Sequence, residues 1–187
     1  MKKIGTFLTS SNVLRISDPC YDKKVWCCGI VKNCEVGKWS AFLYYSDEGS
    51  LGKRVSEIFA IFGDVSENQA EQKYLTTEWK DTTIDVGVDS GQCGIFDDSK
   101  YPNGEDTGEY GDDDSFYGKC CNLTLDSNDS GGVIDFGVVS SSGFGDGSYT
   151  CLVPDNENKV SAIRVVFISD EDNEDYEDEN EYGEDED

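Results

Sequence analysis

The chain has 187 residues, with 15 Lys and Arg against 40 Asp and Glu, and a formal charge of −25. Nucleic-acid phosphates and anionic membrane surfaces are gripped through clustered cations, so both are excluded as direct partners, and cations or basic protein surfaces take their place. Hydrophobic residues make up 36% and aromatics 12%, which supports one buried core in a chain of this size.

Met1-Lys2-Lys3 is followed only by Ile4 to Leu8 before polar residues resume, too short a run for the apolar region of a signal peptide. No run approaches the length of a membrane helix. A cytoplasmic protein, of a bacterial cell or a phage-infected host, is therefore expected. Asn12 to Ile16, Cys28 to Val36 and Trp39 to Tyr45 are short, rich in β-branched and aromatic residues, and separated by turn residues such as Gly37-Lys38; they read as strands of an antiparallel meander. Leu51, Val55, Ile58, Phe59 and Phe62 fit helical spacing, yet Ile58 to Phe62 also suits a buried strand, and the β flanks favour the strand.

Thr83 to Val88 and Gln92 to Phe96 are two further strand candidates, turned by Asp89-Ser90-Gly91. Asp97 to Ser115, with Gly104, Gly108 and Gly111 and eight acidic residues, reads as a mobile surface loop. Asp114-Ser115 caps a short helix through Leu123. Gly132 to Ser140, Ser148 to Val153 and Val160 to Ile168 are strand-like, and Pro154 to Asn158 supplies a hairpin between the last two. The expected fold is mainly β: an antiparallel sandwich or partly open barrel with at most one or two short helices, forming a single domain over residues 1–168.

Charge is unevenly spread, at +1 over residues 1–80, −13 over 81–150, 0 over 151–168 and −13 over 169–187. The last segment has no aliphatic residue and only Tyr176 and Tyr182 as aromatics. It cannot bury enough surface to offset its ordering entropy, so a disordered acidic tail is expected over 169–187.

Eight cysteines are present: Cys20, Cys27, Cys28, Cys34, Cys93, Cys120, Cys121 and Cys151. Without an export signal they read as free thiols serving as small apolar residues. A zinc site would have to be all-cysteine, because there is no His, and no Cys-x-x-Cys spacing occurs. No cofactor is expected. The lack of His also removes the commonest general base near neutral pH, and leaves Cys20, with Lys23 and Lys24 nearby, no partner to activate it.

Three motifs stand out. Ser140 to Tyr149 carries alternate glycines at Gly143, Gly145 and Gly147, but a dinucleotide fingerprint opens a helix and here a strand follows; no Gly-x-Ser-x-Gly elbow is formed either. Asp126 to Gly131 begins like a calcium loop whose closing position falls on Gly137, which cannot ligate. Asp18, Asp89 and Asp146 each sit beside a Pro or Gly turn at a strand end, and either converge at one end of the sandwich or cap three separate turns.

The blocks Ile16-Ser17-Asp18-Pro19-Cys20-Tyr21, Val88 to Asp97 and Val138 to Tyr149 resemble, in order and spacing, an uncharacterised family of small bacterial and phage proteins. The resemblance spans residues 4–168. It implies a prokaryotic or viral cytosolic domain, assigns no catalytic residue, and marks the three blocks as a shared site. The candidate site residues are accordingly Asp18, Cys20 and Tyr21, Asp89, Ser90 and Gln92, and Ser142, Gly143, Gly145 and Asp146, joined by the acidic run Asp112-Asp113-Asp114.

The function these features favour is that of a non-enzymatic acidic interaction protein, an inhibitor of phage counter-defence or immunity type. Its carboxylates would imitate nucleic-acid phosphates and occupy the basic groove of a partner protein. The alternative is a nucleotide-like small ligand held or processed at the Gly-rich loop, with Asp89 and Asp146. A chain ending at Ser169 is expected to keep the far-UV spectrum of the full chain and to melt within about 2 °C of it; a loss of many degrees on removing the tail would show that it packs on the domain.

Overall fold

Where apolar side chains occupy both faces of a strand, both faces must be covered, and this rule explains the arrangement of the protein in a computed structural model that describes residues 1–84 and 86–169. The acidic tail beyond Ser169 lies outside the described residues. Among the described residues there are twelve strands and two α-helices. β1 (Lys2–Leu8), β4 (Lys38–Asp47), β5 (Lys53–Phe62), β12 (Ala162–Val166), β11 (Gly147–Pro154) and β6 (Trp79–Asp81) form one antiparallel sheet in that order, and β7 (Val86–Val88) pairs along β11. The second sheet runs β3 (Gly29–Lys32), β2 (Val13–Ser17), β8 (Gln92–Asp97), β10 (Gly137–Ser141) and β9 (Gly131–Ile134). The two do not close into a barrel, so the mainly β expectation holds as a sandwich.

Leu14, Ile16, Ile95 and Val138 from the smaller sheet meet Trp39, Ala41, Leu43, Ile58, Ala60 and Val165 from the larger one in the central core. Along β5, beyond a bulge at Ser56, the side chains alternate: Ile58 and Ala60 point into this core, while Phe59 and Ile61 point outward beneath α1 (Glu67–Thr76). An unbroken apolar run here is therefore a strand buried on both faces, and the helical spacing of Leu51 to Phe62 is coincidental. Leu51 itself closes a short 3-10 turn before the strand begins.

On the other side of the sandwich, Phe96 and Val139 point outward and are covered by α2 (Phe116–Leu125) with Tyr101 and Phe136. Ser115 caps this helix, its hydroxyl accepting from the Gly118 amide at 3.0 Å, as the sequence predicts. β1, α1 and β6 are elements that the sequence reading passes over. For α1 a signal existed, since Ser66 and Gln69 form a capping box.

Three expectations change. The segment Gly132 to Ser140 is a hairpin of β9 and β10, not one strand, because Phe136 leaves the sheet to stack on Phe116 with ring centres 5.9 Å apart. The strands do not form a simple meander, since the chain crosses between sheets after β3 and again between β7 and β8. Asp97 to Ser115 is a pinned segment: Tyr101 is buried against Phe96, and its hydroxyl donates to the Asp18 and Tyr21 carbonyls at 3.1 and 2.9 Å.

All eight cysteines are unbonded, and Cys34, Cys93, Cys120, Cys121 and Cys151 are buried as small apolar residues. No helix among the described residues is long and apolar enough to cross a membrane.

The pin at the start of that segment is the Asp97 carboxylate. Fully buried, it accepts five hydrogen bonds, from the Ser10 amide and hydroxyl, the Ser11 hydroxyl, and the Ser99 amide and hydroxyl, at 2.6–3.0 Å. Burial alone would raise its pKa, but these donors reverse the shift and hold the group well below the usual carboxylate range. A carboxyl that titrates lower in the folded chain than in the unfolded one contributes stability above the unfolded value of about 3.9, and that contribution is lost as pH falls toward the folded value. Asp97→Asn is expected to lower the melting temperature at pH 7 by several degrees. The gap from the parent should narrow progressively below about pH 4, and a gap independent of pH would show that the carboxylate's charge is not what the donors hold.

Candidate functional site: the loop end of the sandwich

The register of the smaller sheet places the three sequence blocks together. Ser17 lies opposite Gly94, Gln92 opposite Ser141, and Ile16 opposite Gly29. The segment 18–28, the turn 89–91 and the Gly-rich loop 142–146 consequently leave from the same end of the sheet.

Asp18 ties the first two blocks. Its carboxylate, fully buried, accepts from the Cys20 amide (2.8 Å), the Asp89 amide (2.9 Å), the Ser90 amide (2.7 Å) and the Ser90 hydroxyl (2.6 Å). The third block is tied through the backbone, the Ser142 amide donating to the Gly91 carbonyl at 3.0 Å. Within that loop, the Ser142 hydroxyl donates to the Gly145 carbonyl at 2.8 Å and the Gly145 amide to the Ser142 carbonyl at 2.8 Å, while the Tyr149 hydroxyl reaches both carbonyls. Gly143 adopts a φ of +57° with Phe167 and Ile168 so near that a Cβ would meet them at 3.0 Å; only glycine satisfies both conditions there.

Of the three aspartates proposed to converge, Asp18 and Asp89 are brought together by the bond from the Asp89 amide to the Asp18 carboxylate, but their side chains have separate fates. The Asp18 carboxylate faces inward and is saturated. The Asp89 carboxylate lies beside the Tyr21 hydroxyl, whose pKa is raised by burial first and then by Asp89 and Cys27. Asp146 is exposed and makes no hydrogen bond or ion pair among the described residues. Asp18, Asp89 and Asp146 thus form no facing carboxylate pair of the kind that general acid and base work requires. Burial and the neighbouring Asp18 push the Cys20 thiol far up, so it stays protonated and is a poor nucleophile. Among the described residues no three Cys, Asp or Glu side chains are grouped to hold a metal ion.

The acidic run is placed on the same flank by α2. The Ser115 hydroxyl donates to the Asp112 carbonyl at 2.8 Å, and the Asn122 amide to the Asp113 carboxylate at 3.2 Å. Gly118 allows this close approach: a Cβ there would stand 1.9 Å from the Asp112 carbonyl oxygen. Asp112, Asp113 and Asp114 are left exposed.

Sequence reasoning missed the apolar members of this end. Trp26 is 87% exposed, Tyr110 73%, Leu125 65% and Phe144 49%, and each belongs to a loop or helix terminus around the 89–91 turn. Their signal was legible as large apolar residues stranded in polar, glycine-rich segments. A cavity of about 300 Å³ opens between α2 and the turn, lined by Ser90, Gln92, Tyr110, Tyr117, Cys121 and Leu125 among others. Gln92 is buried at its floor, donating to Cys121 Sγ at 3.4 Å and accepting from the Thr124 hydroxyl at 3.0 Å.

No protein-family model, curated protein or solved structure matches the chain.

The Asp18 clasp has a measurable weight. Asp18→Ala would leave three backbone and hydroxyl groups of the turn without their acceptor in a buried site, so the unfolding free energy is expected to fall by on the order of 3 kcal/mol in urea titration. A change within error would show that water replaces the carboxylate freely and that the three blocks are held together by other contacts.

Proposed function

We propose that this protein is a non-enzymatic, acidic interaction protein of inhibitor type, whose loop end docks into the basic groove of a nucleic-acid-binding protein. One observation carries the reading: Trp26, Tyr110, Leu125 and Phe144 project at the same end as the exposed carboxylates of Asp89, Asp112, Asp113, Asp114, Asp126 and Asp146. None of these six enters an ion pair among the described residues. Protein interfaces are anchored by aromatic side chains and framed by a polar rim. Here the rim is predominantly acidic, with Lys24 exposed beside Trp26, and the excess of carboxylates raises the encounter rate with a basic surface and repels nucleic acid itself.

The same geometry counts against a nucleotide-like ligand. An anion needs amides or cations, and at the Gly-rich loop the Ser142 amide is spent on the Gly91 carbonyl and the Gly145 amide and Ser142 hydroxyl on the loop itself, while the loop segment 142–146 contains no Lys or Arg. No Lys or Arg is among the residues lining the adjoining cavity. Catalysis lacks support for the reasons already given, a protonated Cys20 and an Asp18 without a free lone-pair site.

Capture from a bacterial lysate with the immobilised protein, repeated across a salt series, tests the reading when three variants run beside the parent. Replacing Asp112, Asp113 and Asp114 together by Lys is expected to slow association at low salt, with little effect once screening shortens electrostatic reach below about 8 Å. Replacing Trp26 and Phe144 together by Ala should accelerate dissociation. Leu75→Ala, which removes a 74% exposed side chain on α1, should leave capture unchanged. A captured protein retained equally by all three variants and at every salt concentration would overturn the proposal.

A further inference from the structure

The cavity between α2 and the 89–91 turn has a polarity that selects its guest. Ser90 has a single hydroxyl proton, and that proton is committed to the Asp18 carboxylate at 2.6 Å, so toward the cavity the oxygen can only accept, and it does so beside the Tyr117 hydroxyl, which is within hydrogen-bond reach of it. Behind it stands the buried Asp18 charge, whose four partners are neutral N–H and O–H groups. Asp89, the residue before Ser90, lies outside the lining with its carboxylate beside the Tyr21 hydroxyl, and adds negative potential at the cavity's margin because it enters no ion pair among the described residues. Gln92, 5% exposed, has one hydrogen bond to its oxygen and one weak bond from its nitrogen to a thiol; a primary amide can make four. Its oxygen keeps an unspent lone pair and its nitrogen an unspent N–H, and the amide's dipole can turn the oxygen toward a cationic guest. Tyr110 and Tyr117 supply aromatic rings to the wall. Burial first, and then the neighbouring Cys121, raise the Tyr117 hydroxyl to about 12, so this group too remains neutral.

A site that combines lone-pair donors, ring faces and a carboxylate field with no lining cation is complementary to a planar cation. Aromatic faces and several in-plane acceptors suit a guanidinium better than an ammonium, because the guanidinium is planar, less strongly hydrated and donates in several directions. We infer that this cavity is a socket for an arginine side chain of the partner protein, an inference that rests on the interaction reading above and names the group that reading leaves open. Arginine is also a residue in which basic, phosphate-binding grooves are rich. The carboxylate rim then handles the long-range approach, and the socket fixes where one side chain lands.

The test uses the full-length protein and a defined probe. N-acetyl-arginine amide is titrated into the ¹⁵N-labelled protein, with N-acetyl-lysine amide and N-acetyl-glycine amide as comparators. Saturable shifts are expected at Ser90, Gln92, Tyr117 and Leu125, with the arginine compound binding about tenfold more tightly than the lysine one, a ratio equivalent to about 1.4 kcal/mol. Ser90→Ala should weaken binding severalfold while the rest of the spectrum stays in place, and Gln92→Glu, which adds a carboxylate, should strengthen it. Should Ser90→Ala disturb the fold, the Gln92→Glu comparison alone still decides the sign.

Shifts that are absent, that never saturate, or that follow the glycine compound equally would overturn the socket, whatever the capture experiment gives. Probe binding at these residues combined with partner capture that ignores salt and charge reversal would overturn the interaction reading, and with it the assignment of the guest to a partner's arginine. Probe binding together with partner capture weakened by Ser90→Ala supports both.

Discussion

Strand β8 is held at each end by a buried carboxylate, and the rest of the smaller sheet depends on that double clasp. Every residue from Gln92 to Asp97 is buried, so the strand has no polar surface of its own to fix its ends. At the Gln92 end, Asp18 gathers the backbone and hydroxyl donors of the preceding turn; at the other, Asp97 gathers those of Ser10, Ser11 and Ser99. A buried charge without a cation is tolerated only where hydrogen bonds replace its hydration. Both carboxylates meet that condition with neutral donors, four for Asp18 and five for Asp97.

This has an electrostatic consequence for the surface. Because Asp18 and Asp97 use backbone amides and hydroxyls, these two buried carboxylates draw on none of the scarce cations. Nine of the fifteen Lys and Arg side chains nonetheless pair with acidic groups among the described residues. Arg164, for instance, is held between Glu57 and the rings of Tyr74 and Trp79 on the outer face of the larger sheet. Nine cations are thus committed to ion pairs, and the loop end keeps six exposed carboxylates, Asp89, Asp112, Asp113, Asp114, Asp126 and Asp146, that enter none among the described residues.

Much of the scaffold was legible in the sequence, and the parts that were not share a cause. Strands with one or both faces apolar were read from alternation or from short hydrophobic runs, and Leu51 to Phe62 was resolved by its β neighbours. The Gly132 to Ser140 segment was misread because its composition is that of a strand throughout. The break at Asp135-Phe136 comes from Phe136 finding a partner in Phe116, a tertiary contact twenty residues away in the chain that no local pattern encodes. β1 was passed over because its apolar residues are few, and its pairing with β4 supplies what its own sequence lacks. At the site, turn chemistry flagged Asp18, Asp89 and the Gly-rich loop, but not that Asp18 would turn inward. Facing direction follows from register, and register emerges only once the sheet is assembled.

The division between inward and outward carboxylates also decides what each can contribute to recognition. Charges at an exposed rim act over a distance and mainly alter how fast two surfaces meet, while desolvated anchors govern how long they stay together. A loop end built only of carboxylates would attract any basic surface and hold none. One built only of Trp26, Tyr110, Leu125 and Phe144 would be an apolar patch prone to self-association. Placed together at one end, the two classes correct each other: repulsion between like-charged copies keeps the apolar tips apart, and on the proposed function those tips are what a basic partner would bury after the carboxylates had drawn it in.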